Sequence, residues 1–246
     1  MIFGGKASFG TGSQFYGGVT TFNVSSNSVD AVYVRVNTTL DLQAPDCFKN
    51  TPDVTMANQD GRNESYIRLN GNDQSFGNLN IANPYGFITT SSDKPATFAF
   101  DQKSDWTPRA DVFQGPISLS KGGTATVTIN SSLLATGGDL TVRGGTLAFG
   151  ESGVLSAVTN MTISGASSLL SLTSRSNLPK YNESIIHLNE GGKLQVPANI
   201  SFKVAELYVD GIKKYDGIYT AGNAPEMISG EGSLIVGQVG LKVFIR

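Results

Sequence analysis

The chain has 246 residues, of which 18 are Lys or Arg and 20 are Asp or Glu, so its formal net charge is −2. Without clustered cationic side chains there is no electrostatic basis for phosphate-backbone binding, and nucleic acid is excluded as an expected partner. Hydrophobic residues make up 39% of the chain, whereas Gly alone contributes 29 residues. This balance favours a repetitive β-architecture with a narrow core over a compact globule.

Cys47 is the single cysteine, which excludes an internal disulfide and a thiolate metal cage. No apolar run approaches the roughly 20 residues that cross a bilayer, and the first residues lack the basic start of a signal peptide. We therefore expect this chain to be part of a longer exported precursor. No phosphate loop, dinucleotide fingerprint or metalloprotease helix is present, so neither a cofactor nor a metal is expected.

Residues 1–65 are expected to form the less regular turns of the fold. Val32–Leu42 alternates apolar and polar side chains on both sides of Asn37, which predicts two strands joined at that asparagine. Residues 43–65 contain two prolines and several Asn and Asp residues. This composition predicts a surface loop.

From residue 66 the alternation becomes more regular. It predicts four strands with one buried face each, at Tyr66–Gly71, Phe76–Ile81, Gly86–Thr90 and Ala96–Asp101. A second loop, residues 101–116, then interrupts the pattern. Insertions in a solenoid emerge as surface loops, and surface loops carry function more often than strands do.

Residues 117–236 repeat with a period of about 21 residues, each copy being a short strand, a Gly-centred turn and a second strand. The predicted turn glycines are Gly122, Gly144, Gly165, Gly191 and Gly211. An apolar column keeps the same rhythm, with separations of 21, 21, 25 and 21 residues: Leu119, Leu140, Met161, Ile186 and Leu207. Extended upstream, this column includes Phe98 and Leu79.

Units of this size cannot bury their own apolar face and must stack on their neighbours. The sequence therefore predicts an all-β fold, a parallel β-helix with turns of about 20–25 residues. A single domain is expected over residues 1–246, with its repeat region at 66–237. Residues 238–246 alternate apolar and polar side chains and predict a terminal strand. An open first turn would expose a sheet edge, so we expect end-to-end self-association or disorder near the N-terminus.

The repeat region resembles the autotransporter-associated β-strand repeat, also called the passenger-associated transport repeat. The segments that carry the resemblance are Ile67–Leu79, Gly86–Ser92, Phe113–Ile129, Gly138–Gly150 and Leu207–Val236. The resemblance implies a right-handed parallel β-helix, exported and displayed extracellularly or on the outer membrane of a bacterium. It supplies no catalytic residue. The expected function is that of a structural or adhesion module that presents surface loops to glycans or to host molecules.

A polysaccharide-active enzyme is the alternative hypothesis. Hydrolysis of a glycosidic bond needs two carboxyl groups about 5–5.5 Å apart for retention, or about 6.5–9.5 Å apart for inversion. In the loop at 101–116, Asp101, Asp105 and Asp111 can supply such acids, and Arg109 can supply a cation. The competing interpretation is a charged loop that is simply solvated.

Carbohydrate binding without cleavage is a third hypothesis. It assigns the sugar-stacking role to Trp106 in the same loop and to three tyrosines near the C-terminal end, Tyr208, Tyr215 and Tyr219. A flat aromatic face combines apolar area with a polar edge. Trp106 can equally fill the core beneath the loop.

Overall fold

The protein is a β-solenoid of parallel sheets, described here from a computed structural model. The structure describes residues 2–3, 13–56, 63–82, 85–91, 93–130, 132–133, 139–155, 158–174, 177 and 183–237. Within these residues the regular elements are short strands, and no helix is long and apolar enough to span a bilayer. The predicted all-β parallel fold is confirmed.

The strands are two to six residues long. In chain order they are β1 (Ile2–Phe3), β2 (Ser13–Phe15), β3 (Gly18–Phe22), β4 (Ala31–Val34), β5 (Thr38–Leu42), β6 (Asp53–Met56), β7 (Ser65–Arg68), β8 (Gln74–Phe76), β9 (Leu79–Ile81), β10 (Gly86–Thr89), β11 (Ala96–Asp101), β12 (Phe113–Gln114), β13 (Ile117–Gly122), β14 (Thr126–Ile129), β15 (Ser132–Leu133), β16 (Leu140–Val142), β17 (Thr146–Phe149), β18 (Val154–Leu155), β19 (Asn160–Ser164), β20 (Leu169–Ser171), β21 (Ile185–Asn189), β22 (Lys193–Gln195), β23 (Ser201–Val204), β24 (Glu206–Val209), β25 (Ile212–Lys213), β26 (Gly217–Thr220), β27 (Ile228–Ser229) and β28 (Ser233–Val236).

The chain visits three faces in turn. The first face contains β1, β3, β5, β7, β10 and β12, and the second contains β8, β11, β13, β16, β19, β21 and β24, in that order across each sheet. The third face is built from two sheets, β2-β4-β6-β9 and β14-β17-β20-β22-β27. Trp106 connects them in chain order, because it forms an isolated parallel bridge to Val127 of β14.

The predicted apolar column is confirmed as a register column of the second face. Leu119, Leu140, Met161, Ile186 and Leu207 are successive Cα partners on neighbouring turns. All of them are buried. Upstream, Phe98 is the partner of Leu119 as expected. The partner of Phe98 on the preceding turn is Gln74, however, and Leu79 lies on the third face opposite Val54, so the assignment of Leu79 to this column is wrong.

An aromatic stack fills the core of the N-terminal turns. Its successive ring centroids lie 6.0, 5.0, 5.9 and 5.3 Å apart in the series Phe15, Phe22, Phe48, Phe76 and Phe98. These distances lie in the range of favourable aromatic pairs. The solenoid thus has an aromatic core in its first turns and an aliphatic one after Leu119.

The corner after the second face requires glycine, one residue later than predicted in the first two copies. Gly122 is the last residue of β13, and the positive φ of 76° falls on Gly123. A Cβ at Gly123 would lie 2.2 Å from the carbonyl oxygen of Gln102 on the turn below. In the next copy the positive φ is likewise at Gly145, whereas Gly165 and Gly191 are left-handed as predicted.

The fifth repeat does not continue the solenoid. β24 stacks on β21, but Asp210 and Gly211 both have positive φ, and β25 then pairs back with β24 in antiparallel register. Two consecutive positive φ values with an Asp-Gly pair are typical of a tight hairpin turn. β26 is also antiparallel to its neighbour β28. Residues 206–237 therefore end the second face with a hairpin instead of another turn.

Two predictions about the ends fall mainly outside the described residues. The terminal strand at 238–246 is one of them. The other is the mobile or self-associating N-terminus, where only residues 2–3 and 13–15 of the first fifteen are described, paired with β3 and β4.

We expect the aromatic stack to hold most of the stability of the N-terminal turns. Phe98 is fully buried and contacts Phe76 at a centroid distance of 5.3 Å, so Phe98→Ala should lower the unfolding free energy by about 3–5 kcal/mol. Ile212→Ala removes a side chain that is 67% exposed and should cost less than about 0.5 kcal/mol. Urea unfolding followed by the fluorescence of Trp106 tests both. Equal midpoints for the two variants would contradict the assigned core.

Candidate functional site

The loop at 101–116 places its acidic residues at separate positions. Asp101 ends β11, and its carboxylate accepts a hydrogen bond from Arg143 Nη2 at 3.1 Å, two turns away along the solenoid. Arg143 also donates through Nε to the hydroxyl of Ser120 at 2.8 Å. Asp101 thus takes part in a chain of contacts that links three successive turns of the second face.

Asp105 serves a neighbouring strand. Its Oδ1 accepts a hydrogen bond of 2.8 Å from the backbone N–H of Thr126, the first residue of β14. Next to it, Trp106 packs against the core, edge-on to Phe100 and Phe113 at centroid distances of 6.1 and 6.3 Å. Trp106 therefore fills the core beneath the loop, which was the second of the two interpretations of this residue.

Arg109 and Asp111 are brought together on the first face. Arg109 Nε lies 3.1 Å from Asp111 Oδ1, and the guanidinium carbon lies 4.8 Å from the ring centroid of Phe87. The guanidinium thus covers Phe87, which is only 6% exposed although its side chain belongs to the outer surface of β10. This cation–π arrangement fixes the loop on the turn before it.

Each of the three carboxylates therefore has a different partner: Arg143 for Asp101, Thr126 for Asp105 and Arg109 for Asp111. All three interactions join the loop to itself or to neighbouring turns. In the described part of the chain no group of three His, Cys, Asp or Glu side chains has the arrangement of a metal site.

Sequence reasoning missed a buried lysine beside this loop. Lys121 lies in β13 with no exposed surface, and its ammonium donates to the carbonyl oxygens of Ala125 and Gly144, the latter at 2.6 Å. Burial lowers the pKa of Lys121 from its ordinary value of 10.5 to about 8, while Asp101 and Asp105 act in the opposite direction. Its position in a regular apolar–polar alternation gave no sign of this burial.

The C-terminal tyrosines do not share one environment. The ring of Tyr208 stacks on His187 with centroids 4.8 Å apart, and its hydroxyl donates to Glu206 at 2.6 Å. The hydroxyl of Tyr219 donates to the backbone carbonyl of Tyr215 at 2.7 Å, and its ring packs partly against the core. Tyr215 is 90% exposed. Of the three predicted binding tyrosines, only Tyr215 presents a wholly open ring.

Three shallow depressions of similar volume lie on the described surface. The first, about 480 Å³, is lined by Lys213, Lys214, Tyr215 and Asp216, and the second, about 440 Å³, by Gln43, Asn70, Asn72 and Lys94. The third, here called the Tyr66 depression, measures about 450 Å³ and is lined by Asn37, Thr39, Asn63, Glu64, Tyr66 and Tyr85.

The Tyr66 depression combines aromatic and hydrogen-bonding groups. The ring of Tyr66 stacks on that of Phe87 at 5.4 Å and 25°, and its hydroxyl donates to Glu64 Oε2. This hydrogen bond raises the pKa of Tyr66 above its ordinary value, so the phenol stays protonated. Tyr85 is 37% exposed at the beginning of the next turn. The sequence gave no direct signal for this cluster, because a loop separates Thr39 from its partner Tyr66.

Searches of the chain against protein-family models, curated proteins and solved structures find no match. The resemblance to the autotransporter-associated repeat consequently stays a prediction from the sequence.

The burial of Lys121 predicts a pH dependence of stability. Because its folded pKa of about 8 lies below the ordinary 10.5, the unfolded chain binds more protons between these values, and stability rises with pH. One proton gives a slope of at most about 1.4 kcal/mol per pH unit. Lys121→Met should remove this slope when urea unfolding is measured from pH 8 to 9.5, below the range in which tyrosines titrate.

The matched control for this measurement is Lys103→Met. Lys103 pairs with Asp53 at 2.9 Å on the surface, where its side chain is 66% exposed. Its replacement removes one ammonium without touching the interior and should leave the slope in place. A slope that survives in Lys121→Met would show that the buried lysine is not its source.

Proposed function

We propose that this chain is a non-enzymatic β-solenoid module of an exported bacterial surface protein, which acts as a scaffold and in adhesion. The observation that carries the proposal is the use of the loop at 101–116: its acidic side chains and Trp106 hold neighbouring turns together. Such a loop stabilises a rigid support. The export and display in this proposal rest on the resemblance of residues 66–237 to the passenger repeat.

The outer surface of the second face supports a role in presenting a long, flat surface. Its central register column consists of short side chains on five successive turns, namely Ser75, Ala99, Ser120, Thr141 and Thr162. The column then ends in the stacked rings of His187 and Tyr208. Parallel strands about 4.8 Å apart give such a surface a regular spacing along the solenoid. A flat platform of this kind suits an extended partner.

The polysaccharide-active alternative has less support. Two catalytic carboxyl groups must face one scissile bond from the two sides of a common cleft. Asp101 is instead paired with Arg143, and Asp111 is paired with Arg109 over Phe87. Asp105 accepts a backbone hydrogen bond, as side chains that terminate turns commonly do.

We expect the purified chain to release no reducing sugar or unsaturated product from a panel of plant, algal and mucin polysaccharides. Reducing-end assays and absorbance of unsaturated uronates measure this directly. Turnover that disappears in Asp101→Asn or Asp111→Asn but survives in Asp139→Asn, a control on the second face, would replace the scaffold by an enzyme. Turnover unaffected by these variants would point to a contaminant and leave the proposal standing.

A further inference from the structure

We propose that the Tyr66 depression is a binding site for a neutral oligosaccharide. The proposal rests on the adhesion function and specifies where it is located and which ligand class it takes. The site lies on the first face, at the corner where the chain enters this face from the third one. It is distinct from the loop at 101–116 and from the C-terminal tyrosines.

The ring of Tyr66 supplies the platform. One of its faces stacks on Phe87, the register partner on the following turn. Its opposite face looks toward the preceding turn, where the partner is Thr39. Because threonine is much shorter than tyrosine, the surface steps down between these turns and leaves the depression above the ring. An aromatic face at the floor of a step can pack against the apolar face of a sugar ring.

Polar groups that match sugar hydroxyls surround this platform. Glu64 accepts the phenol proton of Tyr66 through Oε2, and no described residue donates to its second oxygen, Oε1. A carboxylate oxygen accepts strong hydrogen bonds from ligand hydroxyls. Asn37 and Asn63 line the same depression, and their amides can both donate and accept. The volume of about 450 Å³ is in the range of small-ligand sites.

The charge of the depression selects against acidic sugars. Glu64 is the only ionisable carboxylate or cation among the lining residues Asn37, Thr39, Asn63, Glu64, Tyr66 and Tyr85. A uronate or sialate placed on the ring would lie beside this carboxylate and be repelled. The nearest guanidinium, on Arg68, lies 5.5 Å from the ring centroid of Tyr66. The chemistry therefore fits hexose units without charge.

The site extends over several turns, which favours an oligosaccharide over a single sugar. Gly18 donates to the carbonyl of Asn37 at 2.8 Å, so the turn that carries Tyr16 lies directly beside Asn37. Tyr16, which is 70% exposed, then precedes Asn37, Tyr66 and Tyr85 on four successive turns. Three steps of about 4.8 Å span roughly 14 Å along the solenoid.

The proposal is tested with the whole chain on an array of neutral oligosaccharides, including β-glucan, xylan, mannan and chitin fragments, beside uronate and sialylated glycans. Titration calorimetry then measures the affinity for the best neutral ligand. Glu64→Ala and Tyr85→Ala, both surface substitutions, should each weaken binding at least tenfold. Tyr16→Ala should weaken binding of the longer oligosaccharide and leave that of its monosaccharide unchanged.

Tyr215→Ala is the matched control, since it removes an even more exposed tyrosine at the C-terminal end. It should bind as the unaltered chain does, and all variants should keep the same urea midpoint. Binding lost in Tyr215→Ala but kept in Glu64→Ala and Tyr85→Ala would overturn the assigned site and leave the adhesion function intact. Binding confined to acidic glycans would overturn the ligand class. No binding to any glycan would overturn the site, while cleavage of the ligand would overturn the proposed function itself.

Discussion

The structure depends on one constraint: every turn must satisfy its backbone hydrogen bonds with the turns on either side, including at the corners where the strand ladder stops. Buried polar groups without partners are costly. At the corners, side-chain amides replace the ladder. Gln102 accepts from Leu79 N–H and donates to Leu79 C=O, both at 3.1 Å, and Gln74 donates to Ala44 C=O at 2.6 Å. Lys121 meets the same need with its ammonium, which is directed at the Gly144 carbonyl.

These corner contacts explain how turns of unequal length share one register. Neighbouring partners on the second face are 21 residues apart at Leu119 and Leu140 but 25 apart at Met161 and Ile186. The extra residues leave the strands at a corner, where buried Asn177 accepts two backbone N–H groups through Oδ1 and donates to Gly150 C=O at 3.1 Å. An insertion therefore lengthens a corner without displacing the strands that follow it.

The sequence revealed the features that depend on periodicity and concealed those that depend on insertions. The apolar column from Leu119 was predictable because its sequence spacing equals its spatial register, and the strands around Asn37 were predictable from alternation. Leu79 was misplaced because partners near it are 24 to 25 residues apart instead of 21. Buried Gln74, Gln102 and Lys121 belong to residue types that usually lie at the surface, so their sequence positions read as exposed.

The same constraint determines where recognition can occur. Because the inward side chains and the corner amides are committed to holding the turns together, binding groups can come only from outward positions. There, a register column juxtaposes residues that are distant in sequence, as Thr39 and Tyr66 are across an offset of 27 residues. A long insertion between two strands thus brings a short side chain beside an aromatic ring and opens a recess on an otherwise flat face. The Tyr66 depression arises in this way, whereas regular turns such as those from Ser120 to Thr162 keep the second face level.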